Sequence, residues 1–182
     1  MLKQFRYKNW VRLLRGKNIL PETPLPIDWE SLKQEGQSLF IALPNDSRHI
    51  HVVNHLLNQL LSQQPSLNIS VYVPPAFEDF IRGMKFYKEQ FILPAIKPLS
   101  FPISEEMIPD TFKKICDIGI DLNCAPYILS HYLIATRSKK ASLGFYNLYS
   151  SSLFSMTLKI KPSSYDSGVE ALLNLIGITL LE

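Results

Sequence analysis

The stretch Cys116-Asp117-Ile118-Gly119-Ile120-Asp121-Leu122-Asn123 is apolar at nearly every second and third position and closes on polar residues just before Ala125-Pro126. A near-continuous apolar run of this length, centred on residues 117–122, is the pattern of a strand covered on both faces. Strands of that kind belong to parallel sheets with helices above and below; a half-solvated antiparallel strand would alternate apolar with polar residues.

On either side, strand patterns alternate with helix patterns. Upstream, residues 38–43 form a short apolar run, Asn45-Asp46-Ser47 supply N-cap oxygens, and Ile50, Val53, Leu57, Leu60 and Leu61 follow at helical spacing until Pro65. Residues 68–73 are rich in β-branched side chains and stop at Pro74-Pro75. A helix is expected over 77–89, then a strand or loop over 91–96 that Pro94 confines to a sheet edge, and a helix over 105–114. Beyond the central strand the pattern predicts a helix over 128–135, a strand over 141–145, strand-like character over 153–160, and a last helix over 169–176 stopped by Gly177. Strands separated by helices favour right-handed parallel βαβ units. The fold class that follows is α/β: a doubly wound, mainly parallel Rossmann-like sheet with helices on both faces, preceded by an N-terminal amphipathic helix.

That first helix is expected over 2–15, with Tyr7, Trp10, Val11 and Leu14 on one face and Lys8, Arg12 and Arg15 on another, stopped by Gly16. Pro21, Pro24 and Pro26 then stiffen a connector, and residues 27–34 could add a helical turn or two. The chain therefore divides into residues 1–36, a basic helix with a proline-rich connector, and residues 37–182, a single Rossmann-like domain. Six basic residues and no acid fall within the first 20 positions, although the whole chain carries only +3. Lys8, Trp10, Arg12 and Arg15 are accordingly candidates for contact with an anionic membrane surface or a partner. Scattered Lys and Arg elsewhere, with no RNA-binding or zinc-finger spacing, argue against a nucleic-acid partner. Cys116 and Cys124 form no CxxC pair and read as reduced core residues. With neither a signal peptide nor a membrane-spanning run, the expectation is a cytoplasmic protein, peripheral to the inner face of the plasma membrane if the helix binds there.

Open parallel sheets bind ligands beyond the carboxyl ends of their strands. Asp46, Ser47 and Arg48, at the first strand-to-helix turn, and Asp121 and Asn123, at the end of the central strand, should meet in one crevice. A helix N-terminus and a guanidinium there suit an anion, and the carboxylates suit sugar hydroxyls. Each has a plainer role too: Asp46 or Ser47 as an N-cap, Asn123 as a cap ahead of Ala125-Pro126. His51 and His55 share a helical face and His49 lies nearby, but no further ligand stands at a recognisable spacing, so no metal is expected. His49 could act as a general base only if it faces the crevice. No cofactor is expected either, because G-x-G-x-x-G is absent.

Three stretches together resemble the bacterial heptosyltransferase family, which transfers ADP-activated heptose to the lipopolysaccharide core. They are Leu39-Phe40-Ile41-Ala42-Leu43 with the helix from Val52 to Leu61 and its Gln64-Pro65-Ser66-Leu67 ending, the central strand quoted first, and Ala141-Ser142-Leu143-Gly144-Phe145. The resemblance covers about residues 37–181 and implies the family's N-terminal, acceptor-side domain. The family places a catalytic carboxylate after a glycine at the first turn; here Leu43-Pro44-Asn45-Asp46-Ser47-Arg48-His49 has no glycine, and Asp46 stands close to that place. The nucleotide-sugar half has no counterpart before Glu182. What the resemblance implies is thus a domain that binds an acceptor or anionic sugar, a sugar or sugar phosphate, and is inactive alone, with a second Rossmann-like domain on another chain as partner. The other reading is a non-catalytic binding or scaffold protein with a degenerate glycosyltransferase fold.

Overall fold

The computed structural model describes residues 2–33, 37–63, 67–79, 89–92, 108 and 110–178. Six strands form one sheet: β1 Ser38–Ala42, β2 Asn68–Val73, β3 Glu89–Ile92, β4 Cys116–Asp121, β5 Ser138–Phe145 and β6 Met156–Leu158. Their spatial order is β3-β2-β1-β4-β5-β6 and every pairing is parallel. That is the Rossmann order, with β1 and β4 side by side at the point where the winding reverses. Among the described residues, four helices cover the two faces: α1 Leu2–Gly16, α2 Ile50–Gln63, α3 Ile128–Arg137 and α4 Tyr165–Leu175.

The pleat of β1 explains the layering. Leu39, Ile41 and Leu43 point to one face, where they pack with Val53, Leu56, Leu57 and Leu60 of α2 and Tyr165, Val169 and Leu172 of α4. Phe40 and Ala42 point to the other, beneath Tyr7, Trp10, Val11 and Leu14 of α1 and Ile128, Leu129, Tyr132 and Leu133 of α3. Small residues let α3 descend onto β4. A Cβ on Gly119 would lie 2.2 Å from Ser138 Oγ and 3.0 Å from Ile134 Cγ2, so no larger residue fits there without displacement. The last helix ends as expected at Gly177, whose φ of 80° suits glycine.

Several expectations require correction. The apolar face of α1 is spent on the domain: Trp10 is 4% exposed and its ring stands 5.8 Å from that of Tyr132, so Trp10 is not a membrane contact. Tyr7 donates to Tyr149 O at 2.5 Å, and Arg15 donates to Pro21 O and Ser152 O, which removes Arg15 from the outward basic face as well. Helix α1 shares a core with α3 and β1. The helix expected over 105–114 is, among described residues, a single 3-10 turn, Asp110–Phe112, and most of that expected over 77–89 lies outside the described residues. Of the strand or loop expected over 91–96, residues 91–92 belong to β3 at the sheet edge, and 93–96 lie outside the described residues. No helix among the described residues is long and apolar enough to cross a membrane.

Candidate functional site

Leaving β1 the chain turns to α2 on one face; leaving β4 it turns to α3 on the other. The two connections part, and a crevice of about 770 Å³ opens between them. Its walls are residues 44–49 and 123–127, closed on the β5 side by Phe145, Tyr146 and Ile160. Asp46, Ser47, Arg48 and Asn123 therefore come together here, and so do His49 and Cys124.

Asp121 does not line the crevice. It is fully buried, and its carboxyl accepts from Asn123 N at 2.9 Å, Asn123 Nδ2 at 2.7 Å and Ser130 Oγ at 2.7 Å. His131 Nε2 lies 3.5 Å from the same carboxyl. Asn123 is 3% exposed and faces the same network: its Oδ1 accepts from Asn45 N at 2.7 Å while its Nδ2 donates to Leu43 O at 3.1 Å. Expected as ligand-binding side chains, Asp121 and Asn123 instead form the joint that ties the end of β4 to the turn after β1. Burial dictates this, because a carboxyl cut off from water must take its hydrogen bonds from the protein. Ser130 and His131 were missed at the sequence level, although a polar pair inside the apolar run Ile128-Leu129-Ser130-His131-Tyr132-Leu133-Ile134 is a readable signal.

At the crevice rim Asp46 is an N-cap, accepting from Arg48 N at 3.0 Å, and it is also clamped by the Arg48 side chain. Arg48 Nε lies 3.0 Å from both carboxylate oxygens, and Nη2 is 2.5 Å from Oδ2. Those hydrogen bonds hold the Asp46 pKa down at about 2. A carboxylate so paired is a weak base but a good acceptor. Arg48 is 84% exposed, so its guanidinium can leave the pair for an incoming anion. His49 lies flat on Tyr165, with ring centroids 3.6 Å apart and planes 16° from parallel, while Tyr165 Oη donates to Leu122 O at 2.9 Å. Burial lowers the His49 pKa, which favours the neutral imidazole.

Cys124 departs from expectation. It is exposed on the crevice wall, not in the core, and partial burial with nearby Asp121 and Asp46 raises its pKa to about 11. The thiol is therefore protonated near neutrality and poorly nucleophilic. Cys116 is buried as expected. His51 and His55 are exposed on α2, and among the described residues no three His, Cys, Asp or Glu side chains converge as a metal site would need.

No protein-family model matches the chain, and no curated protein sequence matches it. Among solved structures, E. coli heptosyltransferase WaaC with ADP aligns with a TM-score of 0.55 at 11% identity, over 80% of this chain and 48% of that one. The fold is heptosyltransferase-like. At 11% identity the likeness shows the fold alone, and the chain spans about half the length of that structure.

Proposed function

We propose that the chain is a heptosyltransferase-type sugar-binding half-domain: it holds an acceptor or anionic sugar in the crevice between β1 and β4 and transfers nothing by itself. The observation that carries this reading is the crevice at the reversal of the sheet, with the Asp46 carboxylate, the exposed Arg48 guanidinium and the His49 imidazole on one wall. Asp46 and His49 would accept hydrogen bonds from sugar hydroxyls, and Arg48 would take a phosphate or carboxylate bidentately. Asp46 would be the catalytic carboxylate only beside a second domain carrying the nucleotide sugar. One observation favours the alternative of a non-catalytic binding or scaffold protein. Both Asp46 oxygens are engaged by Arg48, which makes the carboxylate a weak base toward a reacting hydroxyl while leaving it able to accept a hydrogen bond.

Calorimetric titration of the full chain with hexose and heptose monophosphates tests the reading. Binding is expected, weakened about tenfold or more by Arg48→Ala, since a charge-assisted bidentate contact contributes 1.5–3 kcal/mol in rough terms. Asp46→Asn should weaken sugar phosphates and leave inorganic phosphate unaffected or tighter, because the released Arg48 then has no competing carboxylate. Absence of binding, or binding indifferent to both substitutions, contradicts the proposal.

A further inference from the structure

With Trp10 turned inward, α1 presents a different face outward. Phe5 is 64% exposed and Leu13 is 53% exposed, two of the large apolar side chains left in water. Phe5, the exposed polar Asn9 and Leu13 recur at every fourth residue and so lie in one stripe along the helix, apolar at its two ends and polar between them. Lys8 and Arg12, both exposed, run beside that stripe at the same spacing, and exposed Arg6 borders its other side. No acidic residue occurs before Glu22. One apolar face of the helix is thus buried in the domain, and its outward side carries two separate apolar side chains, Phe5 and Leu13, in a basic surround.

We propose that this outer face of α1 docks the chain on an anionic lipid bilayer, with Phe5 and Leu13 entering the headgroup boundary and Lys8 and Arg12 meeting lipid phosphates. Charge complementarity selects the occupant. A protein interface has a contiguous desolvated centre from which lysine is depleted, whereas two apolar side chains set among cations suit a fluid surface that needs no shape match. Long basic side chains lie over a bilayer surface with their stems in apolar contact and their heads at the phosphates. The proposal is independent of the crevice and of any ligand bound there.

The test is cosedimentation of the full chain with phosphatidylcholine vesicles, with and without phosphatidylglycerol, at low and raised salt. Binding to the anionic vesicles should exceed binding to neutral ones by about tenfold or more and fall as salt rises. Phe5→Ser with Leu13→Ser, and separately Lys8→Gln with Arg12→Gln, should each remove most of the binding while thermal melting stays at the parent value, because all four side chains are on the surface. Milder pairs, Phe5→Ala with Leu13→Ala and Lys8→Ala with Arg12→Ala, serve where a first pair lowers melting. Equal binding to both vesicle types, no binding to either, or binding unaltered in every folded variant overturns the proposal.

Discussion

His131 sits against Asp121 with no surface exposed, and its Nδ1 meets no hydrogen-bond partner. Burial outweighs the nearby carboxyl and lowers its pKa. The folded protein therefore binds a proton at His131 less readily than the unfolded chain, whose histidines titrate near about 6.5. On acidification the unfolded state takes up that proton first, so stability is complete above about pH 6.5 and falls as the pH drops below it, by up to about 1.4 kcal/mol per pH unit for one proton. Urea midpoints measured from pH 7.5 to pH 5.5 should show this decline, and its slope should lessen in His131→Asn whatever that variant's absolute stability, the remaining decline including that of His49, whose pKa burial also lowers. A midpoint independent of pH in the parent would show that His131 keeps an ordinary affinity for protons. The sequence brought Asp121 and Asn123 to the right strand end but could not tell a lining residue from a supporting one. That difference depends on where Ser130 and His131 of α3 project, a tertiary fact. Cys124 was misplaced for the same reason: an apolar neighbourhood in sequence says little about a residue one step past a strand end.

The strands were the most legible elements, because apolar runs bounded by Pro, Asn and Ser leave little choice of state; β1, β2 and β4 lie within one or two residues of expectation. Helix α1 was equally legible as a helix, but its destination was not. Tyr7, Trp10, Val11 and Leu14 describe an apolar face without saying whether lipid or protein covers it, and the decision lies in the matching aromatic surface of Tyr132 and Tyr149, more than a hundred residues away. Trp10→Ala should accordingly destabilise the whole domain, by about 3–5 kcal/mol as for other large aromatic truncations in a core. Chemical denaturation followed by far-ultraviolet circular dichroism measures it. A loss below about 1 kcal/mol would mean that α1 adheres only loosely. Because α1 is part of the core, single surface substitutions, not removal of residues 2–15, are the means of probing its outer face.

Taken whole, the molecule places a geometry of parallel strand ends, not a sequence motif, at the crevice, which explains why the fold was readable while the identity of any ligand was not. Parallel strands gather their following loops at one sheet edge whatever the residues are, and the reversal between β1 and β4 opens the gap there. On the proposed reading, the side chains that would choose a ligand are few: Asp46, Arg48 and His49 on one wall, with Tyr146 also lining the crevice. Amide chemical-shift mapping of the isotope-labelled full chain, titrated with hexose and heptose monophosphates, tests most directly whether this is the binding site. The account predicts saturable shifts concentrated in residues 44–49 and 123–127, reduced in Arg48→Ala. Saturable shifts clustered elsewhere on the sheet, or no shifts with any of these sugar phosphates, would contradict it.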